Sequence, residues 1–151
     1  MRMTTENQLA GYEISTDPNR LQIGAIHAFL SRSYWSSGIP LETTQAAIRN
    51  SLCLGVFYRD AQVGFARVVT DRATFAYLCD VYVLDEHRGR GLGTRLIQAV
   101  MAHPDLQGLR RLLLVTRDAH ALYAQFGFGA LGSPARFMEI NRPDIYQTRA
   151  G

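Results

Sequence analysis

The chain has 151 residues, 47% of them apolar and 19% charged, which is the size and make-up of one compact domain spanning 1–151. Its 16 Lys and Arg against 13 Asp and Glu give +3, and they are scattered rather than gathered into a basic stripe with interleaved aromatics, so an anionic small ligand fits better than nucleic acid. No apolar signal-peptide core follows Met1 and no uninterrupted apolar run of about 18 residues occurs, so a soluble, cytoplasmic protein without membrane association is expected.

Leu9 to Ser15 reads as a first strand. Asp17-Pro18 then offers an N-cap followed by proline at the first helical position, and Ile23, Ile26, Phe29 and Leu30 supply an apolar face through Leu30. His27 on that helix is expected to be a core-edge residue with a local hydrogen bond. Ser31 to Pro40 breaks the periodicity and carries Tyr34 beside Trp35, the only tryptophan. Amphipathic rings on a loop suit a pocket mouth, and a hydrophobic plug between two helices would explain them equally well. A second helix is expected from Leu41 to about Asn50.

From Leu52 the period changes to two: Leu52, Leu54, Val56 and Tyr58 alternate with Cys53, Gly55 and Phe57. After a turn at Arg59 to Gln62 the strand returns over Val63 to Thr70. A short connection leads to a third strand, Phe75 to Leu84, completing an antiparallel meander. A helix from Thr94 to about His103 follows, then a buried strand over Arg111 to Thr116. Asp118 is placed to cap a short helix, Ala119 to Phe126, that Gly127 ends as a left-handed cap. A last strand is expected near Arg136 to Ile140, with an exposed tail beyond Pro143. The ordered core would cover about 9–140, with flexible ends. Cys53 and Cys79 each lie in an apolar run and are expected to be free buried thiols. The sequence marks no metal site.

The chain is organised around Phe75 to Leu96, where a strand passes through Asp85-Glu86-His87 into Arg88-Gly89-Arg90-Gly91-Leu92-Gly93 and a helix start. Such a turn leaves several backbone N–H groups pointing one way at the positive end of the helix dipole, which suits a phosphate. Arg88 and Arg90 add charge, and the glycines let a bulky anion approach the backbone. The run lacks the glycine spacing of a dinucleotide fingerprint and the Gly-Lys-Ser/Thr of a P-loop.

The pattern Arg88-x-x-Gly91-x-Gly93, directly after Val81-Tyr82-Val83-Leu84, resembles the acetyl-CoA signature of the GNAT superfamily of N-acetyltransferases. Ala121-Leu122-Tyr123-Ala124-Gln125-Phe126-Gly127-Phe128 looks like that family's closing helix, and the order of elements agrees over roughly 9–140. The resemblance implies an α/β (α+β) GNAT fold. Its mixed, mostly antiparallel sheet would have about six to seven strands, splayed at the cofactor strand and flanked by about four helices.

It further implies that the N–H groups from Arg88 through Gly89, Arg90, Gly91, Leu92 and Gly93 to Thr94 bind CoA pyrophosphate, and that the backbone of Val81 and Val83 pairs with the pantetheine arm. Tyr123 matches the family's general acid. Asp80, an acidic residue in an apolar strand, occupies the place of its substrate-attracting or basic carboxylate. Strand alternation would put Asp80 on the side of Leu78 and Tyr82, unless a bulge intervenes. Where relatives often carry an asparagine, this chain has Thr116-Arg117-Asp118, which leaves a third catalytic partner open.

The activity implied is acetyl transfer from acetyl-CoA to a primary amine of a small molecule, by direct attack in a ternary complex, with Tyr34 and Trp35 at the substrate. A non-catalytic acyl-CoA sensor and a protein or peptide N-acetyltransferase are the alternatives. Relatives often form homodimers, and no exposed apolar stripe in the sequence decides the point here.

Overall fold

The structure, a computed structural model, describes residues 9–147, so the expectation of flexible ends at 1–8 and 148–151 lies outside the described residues. Five strands, β1 (Tyr12–Ser15), β2 (Leu52–Tyr58), β3 (Ala61–Thr70), β4 (Phe75–Val83) and β5 (Arg111–Leu114), form one sheet in the order β1-β2-β3-β4-β5. The first four are antiparallel neighbours and β5 runs parallel to β4. Four α-helices accompany them: α1 (Ile23–Leu30), α2 (Leu41–Arg49), α3 (Leu92–Ala102) and α4 (His120–Ala124). None is long and apolar enough to cross a membrane.

The sheet is covered on both faces. Leu92, Leu96, Ile97 and Val100 recur along one stripe of α3 and pack on Leu52, Leu54, Val56, Val68 and Leu78. On the opposite face Ile26 and Leu30 of α1, with Ile39, meet Cys53, Phe65 and Tyr82. Coverage on both sides explains why β2 is buried at six consecutive positions although its sequence alternates.

The helix expected from Asp17 to Leu30 is interrupted. Asp17 does cap a turn, its Oδ1 accepting from the Asn19 N–H at 2.9 Å, but the turn is a 3-10 segment, Pro18–Arg20. Gln22 is extended because it is tied to the sheet: its N–H donates to Gln62 Oε1 at 2.8 Å, and its own Oε1 accepts the Gln62 N–H at 3.0 Å. His27 makes the expected local bond, Nε2 to the Ile39 carbonyl at 2.9 Å. Cys53 and Cys79 are free thiols.

Two further expectations are corrected. Asp118 does not cap the short helix; Thr116 Oγ1 accepts the Ala119 N–H at 3.0 Å, and Asp118 is an exposed partner of Arg117. Among the described residues the sheet has five strands, not six or seven, because Arg136 to Ile140 pairs with none of them: Pro134–Arg136 is a 3-10 turn and the residues after it are irregular. Its local β pattern completes no ladder, although the free edge of β5 lies across a cavity from it and Arg111 sits over the Phe137 ring at 4.9 Å.

Candidate active site

β4 and β5 are in register only from Phe75 with Arg111 to Leu78 with Leu114. Beyond Leu78 the outer edge of β4 has no strand beside it among the described residues, so the backbone from Cys79 to Val83, which includes Val81 and Val83, borders an opening in the sheet. The sheet splays here because β4 carries a bulge. Arg67 opposes Cys79 and Phe65 opposes Tyr82, so only Ala66 faces the two residues Asp80 and Val81. Asp80 takes a left-handed φ of 54°, the conformation of an inserted residue and one that Asp tolerates better than most side chains.

The bulge also alters which residues share a face. Asp80 and Tyr82 lie on the α1 side as alternation predicts, but Leu78 packs on the α3 side with Val81 and Val83. On the α1 side the Asp80 carboxylate is held twice: Arg67 Nε donates to Oδ2 at 2.8 Å, and Trp35 Nε1 donates to Oδ1 at 2.8 Å. Arg67 also donates from Nη1 to Ser51 Oγ at 3.0 Å. Burial lowers the Arg67 pKa, and the facing Asp80 carboxylate, with smaller contributions from Cys79 and Cys53, more than offsets it, so Arg67 stays charged.

Trp35 thereby pins the loop between α1 and α2 to the bulge. Tyr34 beside it meets Trp35 edge-on at 5.0 Å, lies under the Arg117 guanidinium at 3.9 Å, and is close enough to Tyr123 to influence its titration. Tyr123 is the one buried residue of α4, its ring against Phe128 at 6.0 Å. Gly127, at φ 96°, ends this segment as expected, and the Phe128 N–H returns to the Tyr123 carbonyl. Burial first, and Tyr34 second, push the Tyr123 phenol above its usual value. Its hydroxyl makes no hydrogen bond among the described residues, yet it is not sealed from solvent.

At the end of β4 a 3-10 turn, Asp85–His87, leads into the glycines. Gly89 and Gly91 have φ of 78° and 81°, and Gly91 is the N-cap of α3, which starts two residues before the expected Thr94. A Cβ at Gly89, Gly91 or Gly93 would project into open space. Among the described residues none accepts a hydrogen bond from the N–H of Gly89, Arg90, Gly91, Leu92, Gly93 or Thr94, so six donors converge on one exposed turn. The Arg88 N–H is spent on the Asp85 carbonyl. Its side chain folds back, Nε to the Val83 carbonyl at 3.1 Å and Nη1 to Asp85 at 3.0 Å, while Arg90 leans toward the Tyr12 ring at 5.9 Å.

The structure therefore gathers the predicted residues into two connected groups. Val81, Val83 and the turn line the open edge of β4. Asp80, Trp35, Tyr34 and Tyr123 are linked through the α1–α2 loop. Sequence reasoning missed Arg67, Ser51 and Arg117. Arg67 carried the same signal that marked Asp80, a charge inside an apolar strand, whereas Ser51 and Arg117 sit in loop-like sequence with no distinguishing pattern. A cavity of about 870 Å³ lies elsewhere, along the outer side of β5; the hydrogen-bonding capacity of the β4 edge and the glycine turn, not volume, identifies the site.

The chain is similar to known proteins over most of its length. The model of the GNAT acetyltransferase family matches residues 9–128. FG08082 of Gibberella zeae, named as an acetyltransferase, is 36% identical over 137 residues, covering 76% of each chain. A crystal structure of a protein from Xanthomonas campestris pv. campestris assigned to the GNAT family shares 54% identity, with TM-score 0.88 over 89% of this chain and 96% of that one. At 16% identity, an acetyltransferase-fold protein of Clostridium acetobutylicum solved with acetyl-CoA superposes with TM-score 0.62, over 86% of this chain and 94% of its own. On the family match and these relatives, the chain belongs to the GNAT family of acetyltransferases.

Proposed function

We propose that the protein is an acetyl-CoA-dependent N-acetyltransferase that acetylates a primary amine of a small molecule by direct attack in a ternary complex. The observation that carries this reading is the continuity of one edge: the outer side of β4 from Cys79 to Val83, with no strand beside it among the described residues and only the Val83 carbonyl engaged, by Arg88, leads into six free N–H donors from Gly89 to Thr94. An extended amide-containing arm ending in a pyrophosphate matches that order of partners. The arm would add to the β4 edge as a strand does, at Val81 and Val83. The pyrophosphate would take the amides, with the α3 dipole favouring its charge.

Acetyl-CoA supplies a thioester carbonyl and a thiol leaving group. The chain's own residues then have three tasks. Asp80, directly or through water, accepts a proton as the amine nitrogen forms its bond to the carbonyl carbon. Backbone donors at the bulge stabilise the oxyanion. Tyr123 gives its proton to sulfur as the carbon–sulfur bond breaks, a task suited to a phenol held protonated by burial and free of other hydrogen bonds. The small-molecule assignment is supported by the pinned loop: with Trp35 tied to Asp80 and Tyr34 under Arg117, two aromatic side chains are held beside the acceptor carboxylate.

A thiol-release assay tests the proposal. With acetyl-CoA and a panel of amino acids, polyamines, aminoglycosides and peptides, we expect CoA release with at least one small amine. Micromolar acetyl-CoA binding without turnover on any amine would favour the sensor reading, and turnover confined to peptides would overturn the small-molecule assignment.

A further inference from the structure

A cavity of about 470 Å³ opens where the β2–β3 hairpin and the start of β1 meet the glycine turn. Three of its lining side chains are rings in mutual contact. Tyr12 and Tyr58 lie 4.6 Å apart, His87 meets Tyr12 edge-on at 5.6 Å, and the Tyr12 hydroxyl shares a hydrogen bond of 2.6 Å with His87 Nδ1. Two guanidiniums sit on that cluster, Arg59 over the Tyr58 ring at 5.1 Å and Arg90 over the Tyr12 ring at 5.9 Å. No acidic residue lines the cavity, and among the described residues neither arginine forms an ion pair, Asp60 and Glu86 beside them in sequence included. Arg59 is there against local preference. Tyr58 pairs with Ala61, so Arg59 and Asp60 make a two-residue hairpin turn, and Arg59 holds its first position at φ 56°, where glycine is favoured. Its N–H donates to the Gly11 carbonyl at 3.0 Å, which ties the hairpin to the start of β1 and fixes that wall of the cavity. A strained, unpaired cation points to a partner from outside the chain.

We infer that this cavity takes the 3′-phosphate of CoA, with Arg59 and Arg90 as its charged partners, and so selects CoA over dephospho-CoA. The inference rests on the acetyl-CoA reading above. Arg90 supplies the link: its backbone N–H is one of the six donors of the turn, and its side chain lines the cavity. On the ligand the same link is the ribose, which carries its phosphate monoester a few bonds from the pyrophosphate. The amides of the turn meet only the pyrophosphate, which CoA and dephospho-CoA share, so discrimination between the two has to come from side chains. A monoester dianion suits two guanidiniums, whose planar forks of N–H donors match phosphate oxygens. The Tyr12–His87 hydrogen bond holds the ring beneath Arg90 and keeps the imidazole facing its own chain.

Isothermal titration calorimetry of the full chain with CoA and with dephospho-CoA tests it. We expect the wild type to bind CoA about 10-fold more tightly or better, through charge-assisted contacts on a solvated surface. Arg59→Gly suits the left-handed turn position, so Tm should hold, while the preference for CoA should shrink to about 3-fold or less. A merely structural role for Arg59 would weaken both ligands alike and leave their ratio unchanged. Equal wild-type affinity for the two ligands, or a ratio undiminished in Arg59→Gly, would overturn the inference and leave the acetyl-CoA reading standing. Binding of neither ligand would remove that reading, and this inference with it.

Discussion

Arg67 Nε lies 2.8 Å from Asp80 Oδ2, joining a charge on β3 to the one residue of β4 with a left-handed backbone. Their side chains are only 19% and 8% exposed, so neither charge is well hydrated without the other. Asp80→Asn would leave Arg67 with a neutral partner and only one acceptor oxygen for two donors, so either Arg67 Nε or Trp35 Nε1 loses its hydrogen bond. It should lower stability by about 1–3 kcal/mol, a Tm drop of several degrees, and raise the acceptor KM or shift the pH profile. Removing the opposing charge as well, in Arg67→Gln with Asp80→Asn, should restore part of the stability but not the KM. Unchanged KM, pH profile and Tm in the single variant would show that the pair serves neither fold nor acceptor.

Tyr123 is placed to protonate the departing thiolate. Tyr123→Phe keeps the buried ring and removes only the proton, so kcat should fall about 10²- to 10⁴-fold while acetyl-CoA affinity is unchanged. Burial, with Tyr34 second, raises the phenol pKa, so the wild-type rate should show no loss from Tyr123 ionisation below about pH 10. Single-turnover kinetics beside equilibrium binding separates the two quantities. Equal turnover in the variant would remove Tyr123 from the acid role.

Gly91 and Gly93 permit a test of the cradle that separates backbone strain from obstruction. Gly91→Ala places a Cβ at φ 81°, which should cost about 1 kcal/mol of stability and weaken CoA binding. Gly93→Ala lies in the first turn of α3 at ordinary helical geometry, where alanine is the better helix former, so Tm should hold or rise. Weaker CoA binding with undiminished Tm in Gly93→Ala would place the anion over the turn; unaltered affinity in both variants would place it elsewhere.

Cys53 and Cys79 flank Arg67 across three adjacent strands, and burial pushes their thiols up to about 11 and about 12. Thiolate, not thiol, reacts with alkylating agents, so at pH 8 iodoacetamide should modify either roughly 100-fold more slowly than an exposed cysteine. The folded state holds these protons more tightly than the unfolded chain, whose thiols ionise near 9. Stability from this source is therefore complete below pH 9 and declines as pH rises through 11. Chemical denaturation between pH 8 and 11 should show that decline, and its absence in the Cys53→Ala, Cys79→Ala variant identifies the source.

Local sequence determined much of this protein. The meander, the apolar stripe of α3, the glycine turn and the Gly127 cap all follow from interactions within a few residues, where periodicity and backbone preference suffice. So the Gly89 to Thr94 amides were legible as an anion-binding turn, while Val81, Val83 and Tyr123 were singled out only by the resemblance to the GNAT superfamily. Asp80 was legible as an anomaly, a carboxylate in an apolar strand. Only tertiary contacts decided the rest. Gln62 breaks the first helix from 40 residues away, by offering Gln22 stronger partners than the helix does. Arg67 and Trp35 determine how Asp80 is held, and the bulge that re-aims β4 depends on how β3 and β4 register. The strand expected at Arg136 to Ile140 failed for the same reason: its pattern is local, but a strand exists only where another segment's backbone pairs with it.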